Sequence, residues 1–192
     1  MKARLKELAA VHMGYSFRSR LESAGCAGVS VIQMKNLLDD NTVSCERLMQ
    51  IEMDVVKEQY LAQKGDLIFR SRGQVTTSAI LVDNPGMALV AAPLLRIRVY
   101  DSGKILPEYL NWYISQKEAQ VYLTSRSEGT AVKKISKKEL EDMVVSVPSL
   151  KTQKDIIELA SLSAREHSLL CMLAHKKEQH ISAVLMQMAK GE

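Results

Sequence analysis

The chain has 192 residues, 46% of them hydrophobic, which is enough for one domain with a packed core plus an extension. No apolar stretch approaches the roughly 20 residues of a membrane-spanning helix, the first residues are too charged for a secretory signal, and three scattered cysteines form no disulfide framework. We therefore expect a cytoplasmic protein with reduced thiols and no membrane partner, and its net charge of +4 is too small by itself to identify a nucleic-acid ligand.

The first part of the chain has the pattern of a β-rich domain. Apolar residues at near-helical spacing predict one short helix or turn over 5–11. Runs rich in β-branched residues predict strands over 28–34, 67–70, 78–82 and 88–100. Pro93 predicts a break or bulge within the last run, because proline cannot donate to a strand ladder.

The second part of the chain has a helical pattern. Residues 107–126 carry apolar side chains at helical spacing, and Pro107 suits a first helical position, so one or two helices are predicted there. Residues 149–189 contain neither proline nor glycine, which indicates one long helix spanning on the order of 60 Å. Ser149 or Thr152 is predicted to cap its start, and Gly191 follows its end.

Apolar residues recur along one face of the predicted long helix at i, i+3 and i+4 spacing. A small domain cannot cover such a face, so the helix is predicted to pack against another helix. The residues predicted to make this dimerisation contact are Ile156, Leu159, Leu170, Leu173, Ile181, Val184 and Met188.

The sequence contains no recognisable catalytic or cofactor motif. It has no glycine-rich cofactor loop, no phosphate-binding loop, no metalloprotease helix and no nucleophile–histidine–acid order with supporting turns. Cys171 and His175 share a face of the predicted long helix, but a full set of metal ligands is missing. We predict no cofactor, no metal site and no enzymatic activity.

Basic and polar residues gather near several predicted turns, as in Arg18/Arg20, Arg70/Arg72 and the lysines of 133–138. The segment 71–77 follows a predicted strand and offers arginine, glutamine and threonine donors, which suit DNA phosphates and base edges. An ordinary solvated surface and a polar hairpin loop are the alternatives for these residues.

The segment 129–156, GTAVKKISKKELEDMVVSVPSLKTQKDI, is the most specific motif of the chain. It resembles the specificity subunits of type I restriction-modification enzymes, in which such a segment marks where a target-recognition domain ends and a spacer helix begins. The segments 5–8 with 14–17, 64–73 and 106–110 also resemble that family and occur in the same order.

The resemblance implies an α+β fold with a mixed or antiparallel sheet in a DNA target-recognition domain over 1–148, followed by one long helix over 149–192. It implies binding of double-stranded DNA, and partnership with methyltransferase subunits and restriction subunits that carry the chemistry. The implied DNA contacts, together with the residues singled out above, are Arg18, Arg20, Lys35, Arg70, Arg72, Gln74, Thr76, Lys133 and Lys134.

The chain departs from the family in having one recognition domain and one spacer helix, where the usual subunit has two of each in antiparallel arrangement. A homodimer with an antiparallel coiled coil would restore that layout and would read a bipartite target. An inactive remnant is the other interpretation of this departure.

Two functions of other classes stay open. One is a non-catalytic protein–protein adaptor that dimerises through its C-terminal helix, which strong and salt-sensitive DNA binding would argue against. The other is a small enzyme with an unrecognised site, which a deep polar pocket with perturbed acids would favour.

Overall fold

A computed structural model of the chain describes residues 1–17, 28–53, 56–73, 76–127 and 133–191, with Lys133 described by its backbone alone. The chain divides into two compact units, Met1–Gln153 and Lys154–Glu192. The first unit holds the strands and the short helices, and the second consists of the long helix beyond its first turn.

Eleven strands are present in the described residues, all of them short. In chain order they are β1 (Lys2–Arg4), β2 (Ala9–Met13), β3 (Val29–Ile32), β4 (Met49–Ile51), β5 (Leu67–Arg70), β6 (Arg72–Gly73), β7 (Ser78–Ile80), β8 (Ala88–Val90), β9 (Leu94–Val99), β10 (Lys133–Lys134) and β11 (Val144–Ser146).

The described helices follow the strands for the most part. They are α1 (Leu5–Leu8), α2 (Pro107–Ile114), α3 (Lys117–Arg126), α4 (Lys137–Glu141) and α5 (Leu150–Lys190), with short 3-10 turns over Met34–Asn36 and Glu58–Tyr60. The prediction of one or two helices over 107–126 is confirmed, with Pro107 at the start of α2.

The strands form four sheets, and the mixed α+β class is confirmed. A four-stranded antiparallel sheet has the order β2-β9-β5-β7, and a three-stranded sheet has the order β4-β3-β8, with β3 and β8 parallel. Two further pairs join distant parts of the chain, β1 with β11 and β6 with β10. We call the β6–β10 pair the basic ribbon.

One core cluster joins the two larger sheets. Ile68 and Leu94 from the four-stranded sheet pack with Ile32 and Val90 from the three-stranded sheet in one buried cluster. These β-branched and leucine side chains explain why the strands form there, since they fill a pleated, buried surface. Pro93 lies between β8 and β9, so the predicted break at that residue is confirmed.

The helix predicted over 5–11 is wrong in its second half. Only Leu5–Leu8 is helical, and Ala9–Met13 forms β2, which pairs with β9 along its whole length. Ala9 and Val11 alternate with less buried neighbours, a period of two that short apolar runs leave ambiguous. Pairing with a central strand therefore overrode the local helical spacing.

The start of α5 is anchored in the first unit by Gln153, whose side chain is fully buried. Its Oε1 accepts from the backbone N–H of Leu106 at 2.9 Å, and its Nε2 donates to the carbonyls of Lys104 and Pro148 at 3.0 Å each. Ser149 caps the helix, because its hydroxyl accepts from the backbone N–H of Thr152 at 3.2 Å. Gly191 follows the helix with a φ of 77°.

Candidate nucleic-acid interface

The basic ribbon brings together two clusters that lie 60 residues apart in the sequence. Lys134 pairs with Arg72 and Lys133 pairs with Gly73 in antiparallel register. The side chains of Arg72 and Lys134 are exposed. Like charges placed directly opposite each other destabilise an antiparallel pair. The basic ribbon therefore concentrates positive charge at the surface, and this charge does not stabilise the strand pair.

Three segments of the domain converge on Ala91–Pro93, which we call the hub segment. The backbone N–H of Ala91 donates to the carbonyl of Ile32 at 2.9 Å, and that of Ala92 donates to the carbonyl of Tyr15 at 2.8 Å. The hydroxyl of Ser71 donates to the carbonyl of Pro93. Because Arg72 follows Ser71, the hub segment fixes the base of the basic ribbon.

The approach of the Tyr15 segment to the hub segment requires a glycine. A Cβ atom on Gly14 would lie 2.6 Å from the carbonyl carbon of Ala91, closer than real Cβ atoms come. Gly14 therefore lets two backbones meet, and it explains the glycine in the family-like segment 14–17.

Lys35 is exposed on the turn that follows β3. This turn begins a longer excursion, Met34–Ser44, which we call the Lys35 loop. Asn36 holds its start, because the backbone N–H of Gln33 donates to the side-chain oxygen of Asn36 at 2.9 Å. The far end of the loop is tied to β7, where the N–H of Ile80 donates to the carbonyl of Asn41 at 2.8 Å.

Two of the residues singled out in the sequence are engaged inside the domain. Arg70 is half-buried, and its Nη2 donates to the carbonyl of Leu37 at 2.7 Å. Thr76 is buried, with its hydroxyl 3.3 Å from Oε1 of Gln120. Both side chains thus support neighbouring segments.

The remaining candidates divide by what the structure describes. Arg72, Lys134 and Lys35 are exposed, and the first two are brought together. Arg18, Arg20 and Gln74 lie outside the described residues, as does the side chain of Lys133.

The pair Arg96/Arg98 belongs to an internal ion network. Arg98 binds the buried Asp66 carboxylate with two hydrogen bonds, and this contact raises the pKa of its guanidinium. Arg96 is buried beside them, and burial lowers its pKa. Both guanidinium groups also donate to the carbonyl of Leu61. Because both arginines form hydrogen bonds or ion pairs inside the domain, they contribute little to a surface that could bind a ligand.

Two grooves lie beside the hub segment, and the sequence did not predict them. One, of about 400 Å³, is lined by Ser16, Phe17, Gln33, Met34 and Ala91–Pro93. The other, of about 270 Å³, is lined by Tyr15, Met53, Val56, Lys57 and Tyr60, with the rings of Tyr15 and Tyr60 edge-to-face at 5.2 Å. The aromatic residues of 14–17 are visible in the sequence and could have indicated a groove. The residues that complete the two grooves come from distant segments, which the sequence does not bring together.

Within the described part of the chain, no group of three or more His, Cys, Asp or Glu side chains could hold a metal ion. On the exposed long helix, Sγ of Cys171 lies 3.6 Å from Nε2 of His167. These two side chains are fewer than the three or four protein ligands of a typical zinc site. Among the described helices, none is both long enough and apolar enough to cross a membrane.

Comparison with known proteins gives a family match and a fold match. A family model described as the type I restriction modification DNA specificity domain matches residues 1–161. No curated protein gives a significant sequence match.

The solved structures that are similar in fold include the following three. The HsdS subunit from Thermoanaerobacter tengcongensis is 18% identical, with a TM-score of 0.63 over 88% of this chain and 38% of that one. A chain from work on complex assembly and conformational transition of the type I R-M system is 19% identical, with a TM-score of 0.67 over 88% and 39%. The type I restriction-modification S subunit from M. genitalium is 11% identical, with a TM-score of 0.58 over 90% and 41%. The chain thus spans about two fifths of the length of each solved structure.

Proposed function

This chain belongs to the family of type I restriction modification DNA specificity domains, and from that premise we propose that it binds double-stranded DNA sequence-specifically. Its role is to direct methyltransferase subunits, and with them restriction subunits, to a bipartite target. Domains of this family recognise DNA and are not catalytic themselves. The methyl transfer and the cleavage therefore belong to the partner subunits.

The observation that carries this proposal is the pairing of Lys134 with Arg72 on the basic ribbon. Two exposed cations opposite each other repel in the unbound protein, and a polyanion relieves that repulsion. A two-stranded ribbon also fits the major groove of B-DNA, which is about 12 Å wide. We assign Arg72, Lys133 and Lys134 to phosphate or base contacts, and Lys35 to a neighbouring phosphate.

The positions outside the described residues keep the roles that the resemblance implies. Arg18 and Arg20 follow the segment that meets the hub segment, and Gln74 follows the basic ribbon strand that contains Arg72. The described segments that precede these residues in the sequence are bonded to the hub segment, which supports assigning all three to the same DNA surface.

We further propose that the chain works as a homodimer through α5, with a target-recognition domain over 1–148 and a dimerisation helix over 149–192. The support is the exposure of the apolar stripe. Leu159 is 70% exposed, Leu170 is 58% exposed and Met188 is 70% exposed. Apolar surface of this extent on one face of a helix marks a protein interface. An antiparallel helix pair would carry two recognition domains to two half-sites.

Measuring the affinity of the full chain for a random-sequence duplex over a range of salt concentrations tests the DNA-binding proposal. Counterion release predicts a linear fall of log K with log salt, with a slope of about −0.9 for each phosphate contact. Lys134→Ala should reduce that slope by about one and weaken binding to all sequences alike. A salt-independent or undetectable interaction would contradict the proposal and favour the protein–protein adaptor.

A further inference from the structure

Arg70 links the Lys35 loop to the strand that precedes the basic ribbon. Arg70 ends β5, two residues before Arg72 of the basic ribbon. Its guanidinium reaches the carbonyl of Leu37, two residues after Lys35, at 2.7 Å. One side chain therefore connects the backbone that carries Lys35 with the strand that leads to Arg72.

The charged side chain of Arg70 lies partly inside the domain, and its position lowers the stability of the folded state. Its side chain is half-buried, and its Nε is buried without a hydrogen-bond partner among the described residues. An unmet buried donor on a charged group disfavours the folded state. An apolar residue at this position would avoid that cost, but it would not link the carbonyl of Leu37 to β5.

The far end of the Lys35 loop is tied to β7 and to α2. The N–H of Val43 donates to the carbonyl of Ile80 at 3.0 Å, and Nδ2 of Asn111 donates to the carbonyl of Asn41 at 3.1 Å. At the end that bears Lys35, the side-chain oxygen of Asn36 accepts from the N–H of Gln33, and Arg70 links the turn to β5 through the carbonyl of Leu37. Arg70 therefore connects the turn that carries Lys35 directly to β5.

We propose that Arg70 is a positioning residue that aligns Lys35 with the basic ribbon for simultaneous contact with DNA. The inference rests on the DNA binding proposed above and deepens it. Arg70 acts through the Leu37 carbonyl and does not itself touch DNA. Lys35, Arg72 and Lys134 then supply the cations of one continuous surface.

A double-mutant cycle on the full chain separates positioning from direct contact. Salt slopes and affinities for one duplex are measured for the wild type, Arg70→Met, Lys35→Ala and the double variant. Arg70→Met keeps an apolar stem of similar length and removes the hydrogen bond to Leu37. Arg70→Lys is the second variant, since it keeps the charge and loses the fork geometry. Unfolding curves confirm that each variant folds before it is used.

If Arg70 acts through Lys35, each single change flattens the salt slope by about one contact, and the double variant shows no further loss. Arg70→Lys should then weaken binding as well, although the charge is kept. Arg72→Gln combined with Lys35→Ala is the matched control, and its two losses should add. Additive losses for Arg70 and Lys35, or an unchanged slope in Arg70→Met, would overturn this inference alone. A wild-type chain that binds no DNA would overturn the proposed function as well.

Discussion

Arg98 binds Asp66 through two parallel hydrogen bonds of 2.7 Å each, from Nε to Oδ1 and from Nη2 to Oδ2. Asp66 is 1% exposed, and Arg96, also buried, lies 4.0 Å away. The same two arginines donate to the carbonyl of Leu61. The Asp66 carboxylate therefore joins β9, which carries both arginines, to the segment before β5.

Asp66→Ala should lower the free energy of unfolding by about 3 kcal/mol or more, because it leaves two arginines without their buried counter-charge. Urea denaturation of the full chain measures this change. Asp142→Ala is the control: its carboxylate bonds to Lys6 at 2.8 Å at the surface, so a much smaller loss is expected. Equal losses in the two variants would contradict the structural role of Asp66.

Gln153→Ala should also destabilise the protein, by about 2 kcal/mol or more. The substitution leaves the N–H of Leu106 and the carbonyls of Lys104 and Pro148 without their partner at a fully buried position. Thermal unfolding provides the measurement. Gln179→Ala, an exposed glutamine on the same helix, should leave the melting temperature unchanged.

Arg72→Gln and Lys134→Gln should change stability and DNA affinity in opposite directions. Removing one of two opposed cations relieves repulsion, so the free energy of unfolding should stay constant or rise by about 0.5 kcal/mol. DNA affinity should fall at low salt in the same variants. Lys137→Gln, which loses an ion pair with Glu141, serves as the control with no expected loss of DNA binding. A parallel fall of stability and affinity would point to misfolding instead.

Leu173→Asp should convert a dimer into a monomer, since a buried unpaired charge is costly at a helix interface. Light scattering of the wild type should give twice the monomer mass of 21.4 kDa. Lys176→Asp, outside the apolar stripe on the same helix, should remain a dimer. A wild-type monomer at micromolar concentration would remove the dimer from the proposed function.

Stability should fall as the pH drops below about 6.5, the ordinary pKa of histidine. Burial and the cations of Arg96, Lys137 and Arg98 lower the pKa of His12, and Glu141 opposes them. The unfolded chain therefore takes up a proton at a higher pH than the folded chain, so acid favours unfolding in that window. His12→Gln should reduce this slope between pH 7.5 and 5.5 in denaturation experiments. An unchanged slope would show that other groups cause it.

Local features of the sequence were sufficient to predict most of the elements. The β-branched run of 88–100, the proline before α2 and the uninterrupted helix after Ser149 each depend on neighbours within a few residues. Strand β2 was missed because its pairing with β9 joins positions about 85 residues apart, and five residues allow either period.

The candidate interface was predictable by residue type and not by arrangement. The sequence singled out Arg70, Arg72 and Lys134 as one class of basic residue. The pairing of Lys134 with Arg72 depends on a contact across about 60 residues, and the bond from Arg70 to Leu37 depends on a backbone oxygen that side-chain patterns do not reveal. A strand end bearing arginine looks the same in sequence whether it faces solvent or a carbonyl.

The hub segment makes the fold of this domain depend little on its exposed side chains. Its bonds to Ile32 and Tyr15 join main-chain atoms, which every amino acid supplies. The exposed side chains of Arg72 and Lys134 can therefore be exchanged while these bonds stay intact, provided that Gly14 and Ser71 are kept. Under the proposed function, the DNA target can then be changed by surface substitutions with little loss of folding, and libraries randomised at those two positions should yield many folded members.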